Sequence, residues 1–186
     1  FASDLFDGLI AEAINGESVT VTSPPLGVNG ITIIDVDNGA SNGVVHIIDG
    51  VLAPSWAFST LADRVVSDSD LSTLLALVAI AEIDLSIPGE FTLLAPTNDA
   101  FAKLPEAVVL FLTSPEGKED LINILAYHVL TGIFTSGELE DGAELASVQG
   151  SDVVVTLDPV KFNQAGVVEV DILALNGVLH KIDDVL

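Results

Sequence analysis

The chain of 186 residues has no cysteine, no methionine and only five lysines and arginines. Without cysteine there is no disulfide and no thiolate, and the redox compartment is left open. Without methionine there is no initiator, so a processed product or a fragment is expected, with any leader already gone. Five bases against 28 acids give a formal net charge of −23. Such a surface repels nucleic acid, whose binding depends on Lys and Arg neutralising phosphates. It disfavours anionic membrane surfaces and attracts divalent cations and basic partners. Residues 1–56 carry seven acids (Asp4, Asp7, Glu12, Glu17, Asp35, Asp37, Asp49) and no Lys or Arg. The longest apolar run, Leu74 to Ala81, falls well short of the ~20 residues a membrane-spanning helix takes. The sequence has no Asn-x-Ser/Thr sequon, no Gly-rich phosphate loop, no nucleophile elbow and no HExxH pattern. Catalysis is therefore not expected, and no catalytic residue is assigned.

What is present is a repeat. Residues 1–52 align with 135–186 without a gap, and 20 of the 52 pairs are identical, among them Asp7/Asp141, Gly16/Gly150, Asn29/Asn163 and Asp37/Asp171. The strongest matches are Asn42-Gly43-Val44-Val45-His46-Ile47-Ile48-Asp49 and Asn176-Gly177-Val178-Leu179-His180-Lys181-Ile182-Asp183. Repeats define units before any residue-level reading. The chain thus starts inside one copy, 1–53, crosses a linker at 54–56, and runs through a whole copy at 57–186. Asn-Gly between β-branched runs predicts that each copy ends in a hairpin with a type I′ turn. The partner-poor setting of His46 and His180 favours local hydrogen bonding over a metal or catalytic role.

In order along the chain, 1–16 reads as a helical or irregular lead-in. Strands are expected at 18–22 and 31–37. Helices are expected at 57–66 and from Asp68 to 84, the second apolar nearly all round and so buried. Phe91 to Leu94 reads as a strand that Pro96 ends, and Thr97 caps the next helix, with Phe101 returning to the core. A helix is expected at 105–113. Ser114-Pro115-Glu116 would start another, with Ser as N-cap and Pro at the first helical position. Strands follow at about 143–149, 152–157 and 166–174. Helices first and strands afterwards indicate segregated α+β.

Thr92 to Phe101 (Thr-x-x-Ala-Pro-Thr-Asn-Asp-Ala-Phe), the pair Tyr127-His128, and Asn176 to Leu186 (Asn-Gly-Val-x-His-x-Ile-Asp-x-Val-Leu) occur in that order. Together they resemble the fasciclin-type domain, over about 57–186 for a whole domain and 1–52 for the end of a preceding one. The resemblance implies a twisted β-sandwich or wedge with helices packed on one side. Thr92, Pro96, Thr97, Asp99, Phe101, Asn176, Gly177, His180 and Asp183 would be its structural signature. It also implies an extracellular, secreted or cell-surface adhesion module that meets proteins or glycans of a matrix. In animal matrix members the Tyr-His region and an Asp-Ile motif before the closing block are tied to adhesion. Tyr127, His128, Asp171 and Ile172 stand at those places. The flanking Leu125, Val129 and Leu130 equally suit a buried pair, and Asp171 equally suits an outward strand residue. The first copy departs from the motif, since Asn38 follows Asp37.

The acids at Asp35/Asp37 and at Glu138, Glu140, Asp141 and Glu144 are candidates to hold Ca²⁺, which takes six to eight oxygens. Asp35-Val36-Asp37-Asn38-Gly39 resembles the start of an EF-hand loop but lacks its later ligands. A Ca²⁺-bridged acidic scaffold is the second functional reading. A homo-oligomer formed through the strand-only first copy is a further expectation, because open sheet edges invite pairing.

Overall fold

A computed structural model of the chain describes residues 1–14 and 16–186. It divides into two compact units, Phe1–Ser55 and Trp56–Leu186.

After a 3₁₀ turn at Ala2–Asp4, the first unit is a sheet of five strands in sequence order: β1 (Ile10–Glu12), β2 (Ser18–Thr22), β3 (Gly27–Val28), β4 (Ile31–Ala40) and β5 (Gly43–Ile48). All neighbours are antiparallel. Val21 and Ile33 are its buried hydrophobic side chains.

The second unit is α+β, as the order of patterns indicates. It begins with 3₁₀ turns at Ser55–Phe58 and Ser69–Leu71, around α1 (Leu61–Ser67), and continues into α2 (Ser72–Ala81). Thr60 starts α1 through a capping box: its Oγ1 accepts from the Asp63 N–H at 3.3 Å, and the Asp63 carboxylate accepts from the Thr60 N–H at 2.7 Å. Asp68 caps the second 3₁₀ turn and not α2, accepting from the Asp70 N–H at 2.9 Å. α2 buries Leu74, Leu77, Val78 and Ala81 but exposes Ile80, so it is covered on one face and not all round. It stops at Ala81, because Glu82 turns left-handed at φ 58°.

Then follow β6 (Phe91–Pro96), α3 (Asn98–Ala102), α4 (Glu106–Leu112), α5 (Lys118–Tyr127), β7 (Val129–Thr131), β8 (Glu144–Ala146), β9 (Asp152–Leu157), β10 (Val160–Phe162), β11 (Ala165–Ala174) and β12 (Gly177–Ile182). Ser114 to Gly117 is a turn, not the first turn of α5. Ser114 caps this turn, its Oγ accepting from the Gly117 N–H at 3.3 Å, and Gly117 lies where a Cβ would stand 2.1 Å from the Phe111 carbonyl oxygen.

The strands form one sheet in the order β7-β6-β12-β11-β10-β9-β8. Only β6 and β12 run parallel, over six pairs from Gly177–Phe91 to Ile182–Pro96. β7 meets the residues just after β8 through an isolated bridge, Leu130 with Ser147, and a bond from the Val148 N–H to the Val129 carbonyl. Period-two alternation sends successive residues of β6 to different cores. Leu93 and Ala95 join the helices' Leu61, Leu74, Leu121 and Leu125. Leu94 joins Leu130, Val153, Val155, Phe162 and Ile182 inside the folded sheet. This is the wedge, with the helices on one side.

The five strands of the first unit correspond to β8–β12 at an offset of 134, and β4 and β5 match β11 and β12 at both ends. The hairpin turns differ from expectation. Ala40 pairs with Gly43 and Ala174 with Gly177, so the two-residue loops are Ser41-Asn42 and Leu175-Asn176. None of these four residues takes a left-handed backbone, so the turn is not type I′. Gly177 answers a different need: a Cβ there would stand 2.0 Å from the Phe91 carbonyl oxygen.

Candidate functional site

Of the singled-out residues, Asp171, Ile172 and His180 meet around a bulge. β11 slips against β12 between Val167 and Glu169 and again between Glu169 and Ile172. Asp171 lies in the second slip at φ 60°, a left-handed conformation that Asp tolerates through its short hydrogen-bonding side chain. A bulge takes a backbone N–H out of the ladder, and His180 supplies the replacement. Its Nδ1 accepts from the Asp171 N–H at 3.2 Å, and its Nε2–H donates to the Phe134 carbonyl at 2.8 Å. Those two bonds select the neutral Nε2–H tautomer. His180 is fully buried, and burial lowers its pKa although the backbone bond and Asp171 pull the other way. The Asp171 carboxylate accepts from the Ser136 N–H at 2.7 Å and from the Ser136 hydroxyl. Ile172 packs on the helix-side core. The Asp-Ile pair therefore sits in a strand, and Asp171 is tied to the 134–136 loop.

The first copy repeats two of these bonds, the histidine–bulge bond and the backbone N–H to the carboxylate. Asp37 is left-handed at φ 58°, its N–H reaches His46 Nδ1 at 3.3 Å, and its carboxylate accepts from the Ala2 N–H at 2.7 Å. Asp7 and Asp141 accept from the N–H groups of Ser23 and Leu157. Asn29 and Asn163 accept from those of Thr20 and Val154. Asp49 and Asp183 accept from those of Thr32 and Gly166. Asp7, Asn29, Asp37 and Asp49, with their identical counterparts, satisfy backbone donors the sheet leaves over.

Tyr127 and His128 close α5. His128 is 1% exposed; its Nδ1–H donates to the Ile124 carbonyl at 2.7 Å, and its Nε2 accepts from the Leu186 N–H at 3.0 Å. Burial lowers its pKa to about 4, against the backbone bond. The half-buried Tyr127 donates its hydroxyl to the Asp152 carbonyl at 3.0 Å and accepts from Asn163 Nδ2 at 2.9 Å. The pair joins α5 to β9 and to Leu186.

The rest of the signature is also structural. Thr92 is fully buried, donates to the Gly132 carbonyl and accepts from the Phe134 N–H. Pro96 ends β6 within the sheet, Thr97 caps α3 with Asp99 in its first turn, and Phe101 is buried. Asn176 does not serve the turn that Asn-Gly predicts; it clamps three segments. Its Oδ1 accepts from the Leu61 N–H at 2.8 Å, and its Nδ2 donates to the Leu85 and Ile87 carbonyls at 2.9 Å.

The Ca²⁺ candidates are dispersed. Asp35 accepts from the Val36 N–H, and Asp37 and Asp141 are occupied by the N–H groups of Ala2 and Leu157. Glu138 accepts from the Thr135 hydroxyl at 2.7 Å and from its N–H, which holds the carboxyl below its ordinary pKa. Glu140 and Glu144 are exposed. Among the described residues, no three His, Asp or Glu side chains are gathered to hold a metal ion. Lys181 carries no sequence signal, yet it is the centre of an ion-pair group. Its Nζ meets Asp68 at 2.5 Å and Glu169 at 2.8 Å with little exposure. Burial opposes its charge, but the bonds to both acids outweigh burial and raise its pKa.

The fasciclin-domain family model matches residues 69–186. The chain belongs to the fasciclin family. Among its fasciclin relatives, a cyanobacterial protein, sll1483 of Synechocystis, is 41% identical over 131 residues, covering 68% of this chain and 72% of that protein. Human periostin is 32% identical over 192 residues, covering 98% of this chain but only 22% of periostin. A solved domain pair from the insect cell adhesion molecule fasciclin I matches the fold with a TM-score of 0.55 at 21% identity, covering 96% of this chain and 66% of that one. Among the described residues, no helix of this fasciclin chain is long and apolar enough to cross a membrane.

Proposed function

We propose that the chain is an adhesion-type module that acts outside the cell by protein–protein or protein–glycan contact, without catalysis. Membership of the fasciclin family carries this reading, since its structural neighbour fasciclin I is a cell adhesion molecule. Fold alone does not fix function. The polar groups of the signature support the same view, because their bonds run to the protein's own backbone and leave no poised acid–base pair. His128, buried and bonded through both ring nitrogens, acts by shaping the end of α5 and not as a contact residue. Beads carrying the chain should be retained on matrix-protein or polysaccharide surfaces more strongly than albumin-coated beads. Retention equal to albumin on every surface would sink this reading.

The charge of −23 favours a second reading, a scaffold in which Ca²⁺ bridges carboxylates of different molecules. Sedimentation should then show mass growth with CaCl₂ but not with NaCl of equal ionic strength. Equal behaviour in both salts removes it.

A further inference from the structure

We propose that the second unit has a ligand site, a cavity on its helix side that takes the alkyl chain of a small cationic amphiphile such as an alkylammonium ion. The cavity measures about 250 Å³. Its floor is Leu61, Leu93 and Leu125, all buried and all part of the helix-side core. On its open side stand Ile87 and Val148, which are exposed. Protein interiors hold few voids larger than a water molecule, and an apolar void of about 150 Å³ stays dry and takes benzene. A larger void that opens to solvent has room for a longer chain. The space also exists without an occupant. Asn176 Nδ2 donates to the Leu85 and Ile87 carbonyls at 2.9 Å. The loop that forms one wall is therefore held in place, and small-molecule sites are usually pre-formed in this way.

The charge of the ligand follows from Asp84. Among the described residues it is the only polar one that lines the cavity, and no Lys, Arg or His does. Asp84 is exposed, and its Oδ1 accepts from the Ser86 hydroxyl and from the Ser86 N–H at 2.8 Å. Those two bonds hold its carboxyl below the ordinary range, so it is ionised at neutral pH. They leave Oδ2 open to a donor from outside. An ammonium head finds a partner there, whereas a carboxylate or phosphate head finds a like charge and no base. The net charge of −23 draws cations toward the same surface.

The test titrates the full chain with octylammonium chloride, octanol and sodium octanoate at one ionic strength, below micelle-forming concentrations. The methyl signals of Leu61, Leu93 and Leu125 are followed by NMR. Octylammonium should shift them with a Kd of about 1 mM or tighter. Octanoate should bind about tenfold more weakly or worse, because the charge beside Asp84 turns from attractive to repulsive. Octanol should fall between the two. Asp84→Asn should shrink the ratio between the two ions and leave octanol unchanged. Ala126 also lines the cavity, so Ala126→Phe puts a ring into it and should remove the binding of all three; a calorimetric melt checks that this variant folds. If it does not fold, the wild-type methyl shifts decide alone. If those methyls stay still while acidic surface residues respond to octylammonium, the cation meets only surface charge and the proposal is overturned. It is overturned equally if octanoate matches octylammonium, if Asp84→Asn leaves their ratio unchanged, or if folded Ala126→Phe binds as wild type does.

Discussion

His128 is a residue whose setting has a measurable consequence. Its folded pKa is about 4 because of burial, while an unfolded histidine sits near 6.5. The unfolded state therefore binds more protons between those values, and stability rises with pH through that window. His180 shifts in the same direction for the same first cause. For His128, unfolding free energy should be level above about pH 7 and fall on acidification toward pH 4, by up to about 1.4 kcal/mol per pH unit, with His180 acting in the same sense. Urea titrations of wild type and His128→Gln at pH 7.5 and pH 5 check this, and the variant should show the smaller difference. Asp171 supports a second prediction. Asp171→Ala leaves the Ser136 N–H without its acceptor in a half-buried loop, at a left-handed backbone position, and should cost about 2 kcal/mol. Asp171→Asn keeps an acceptor and tolerates the backbone, and should cost under about 1 kcal/mol. Equal losses in thermal melts would contradict this role. The hairpin histidines are readable as structural from their identical settings in the two copies. That each answers a bulged Asp N–H is not readable, because nothing in the one-letter pattern marks where a strand slips register.

At the scale of elements, the repeat supplies its own controls. Gly177 and Gly43 are identical in sequence, but a Cβ at 177 would strike the backbone of Phe91, and one at 43 would meet nothing within 4 Å. Gly177→Ala should therefore cost about 3 kcal/mol or more, in the range of forced overpacking, and Gly43→Ala under about 1 kcal/mol. Denaturant midpoints of the two variants decide it, and similar costs would mean that β6 and β12 do not approach so closely in solution. The Asn-Gly signal correctly locates both hairpins, but not through a type I′ turn: in the second copy Gly177 serves the neighbouring strand and Asn176 clamps loops. Local pattern locates β6, β9 and β11 well, β9 from its alternation and the other two from their apolar, β-branched runs. It misses the three-residue β10 and places the start of α5 a turn too early, because Ser114 caps a separate turn, accepting from the Gly117 N–H, before the helix begins at Lys118. Asn176, Gly177 and Lys181 act through contacts with residues far away in sequence, which local reading does not reach.

For the whole molecule, charge weighs most heavily. With −23 to hold together, self-repulsion weakens the folded state, and salt screens it over about 8 Å at physiological strength. The melting temperature should rise with NaCl and level off as screening saturates; a flat response in differential scanning calorimetry would mean that repulsion does not limit stability. The repeat announces the two-unit organisation, whereas the dispersal of the Ca²⁺ candidates depends on how the backbone occupies their carboxylates, which no spacing of acids reveals. The parallel seam between β6 and β12 also bears on mechanical load. If the second unit is pulled by its two ends, tension enters β6 at Phe91 once α1 and α2 have peeled away, and it leaves β12 beyond Ile182. Two parallel strands drawn from opposite ends are loaded in shear. The rungs between Gly177–Phe91 and Ile182–Pro96 then share the force and fail together, whereas a hairpin pulled at its open end would unzip one rung at a time. A unit built this way resists traction applied through its two ends.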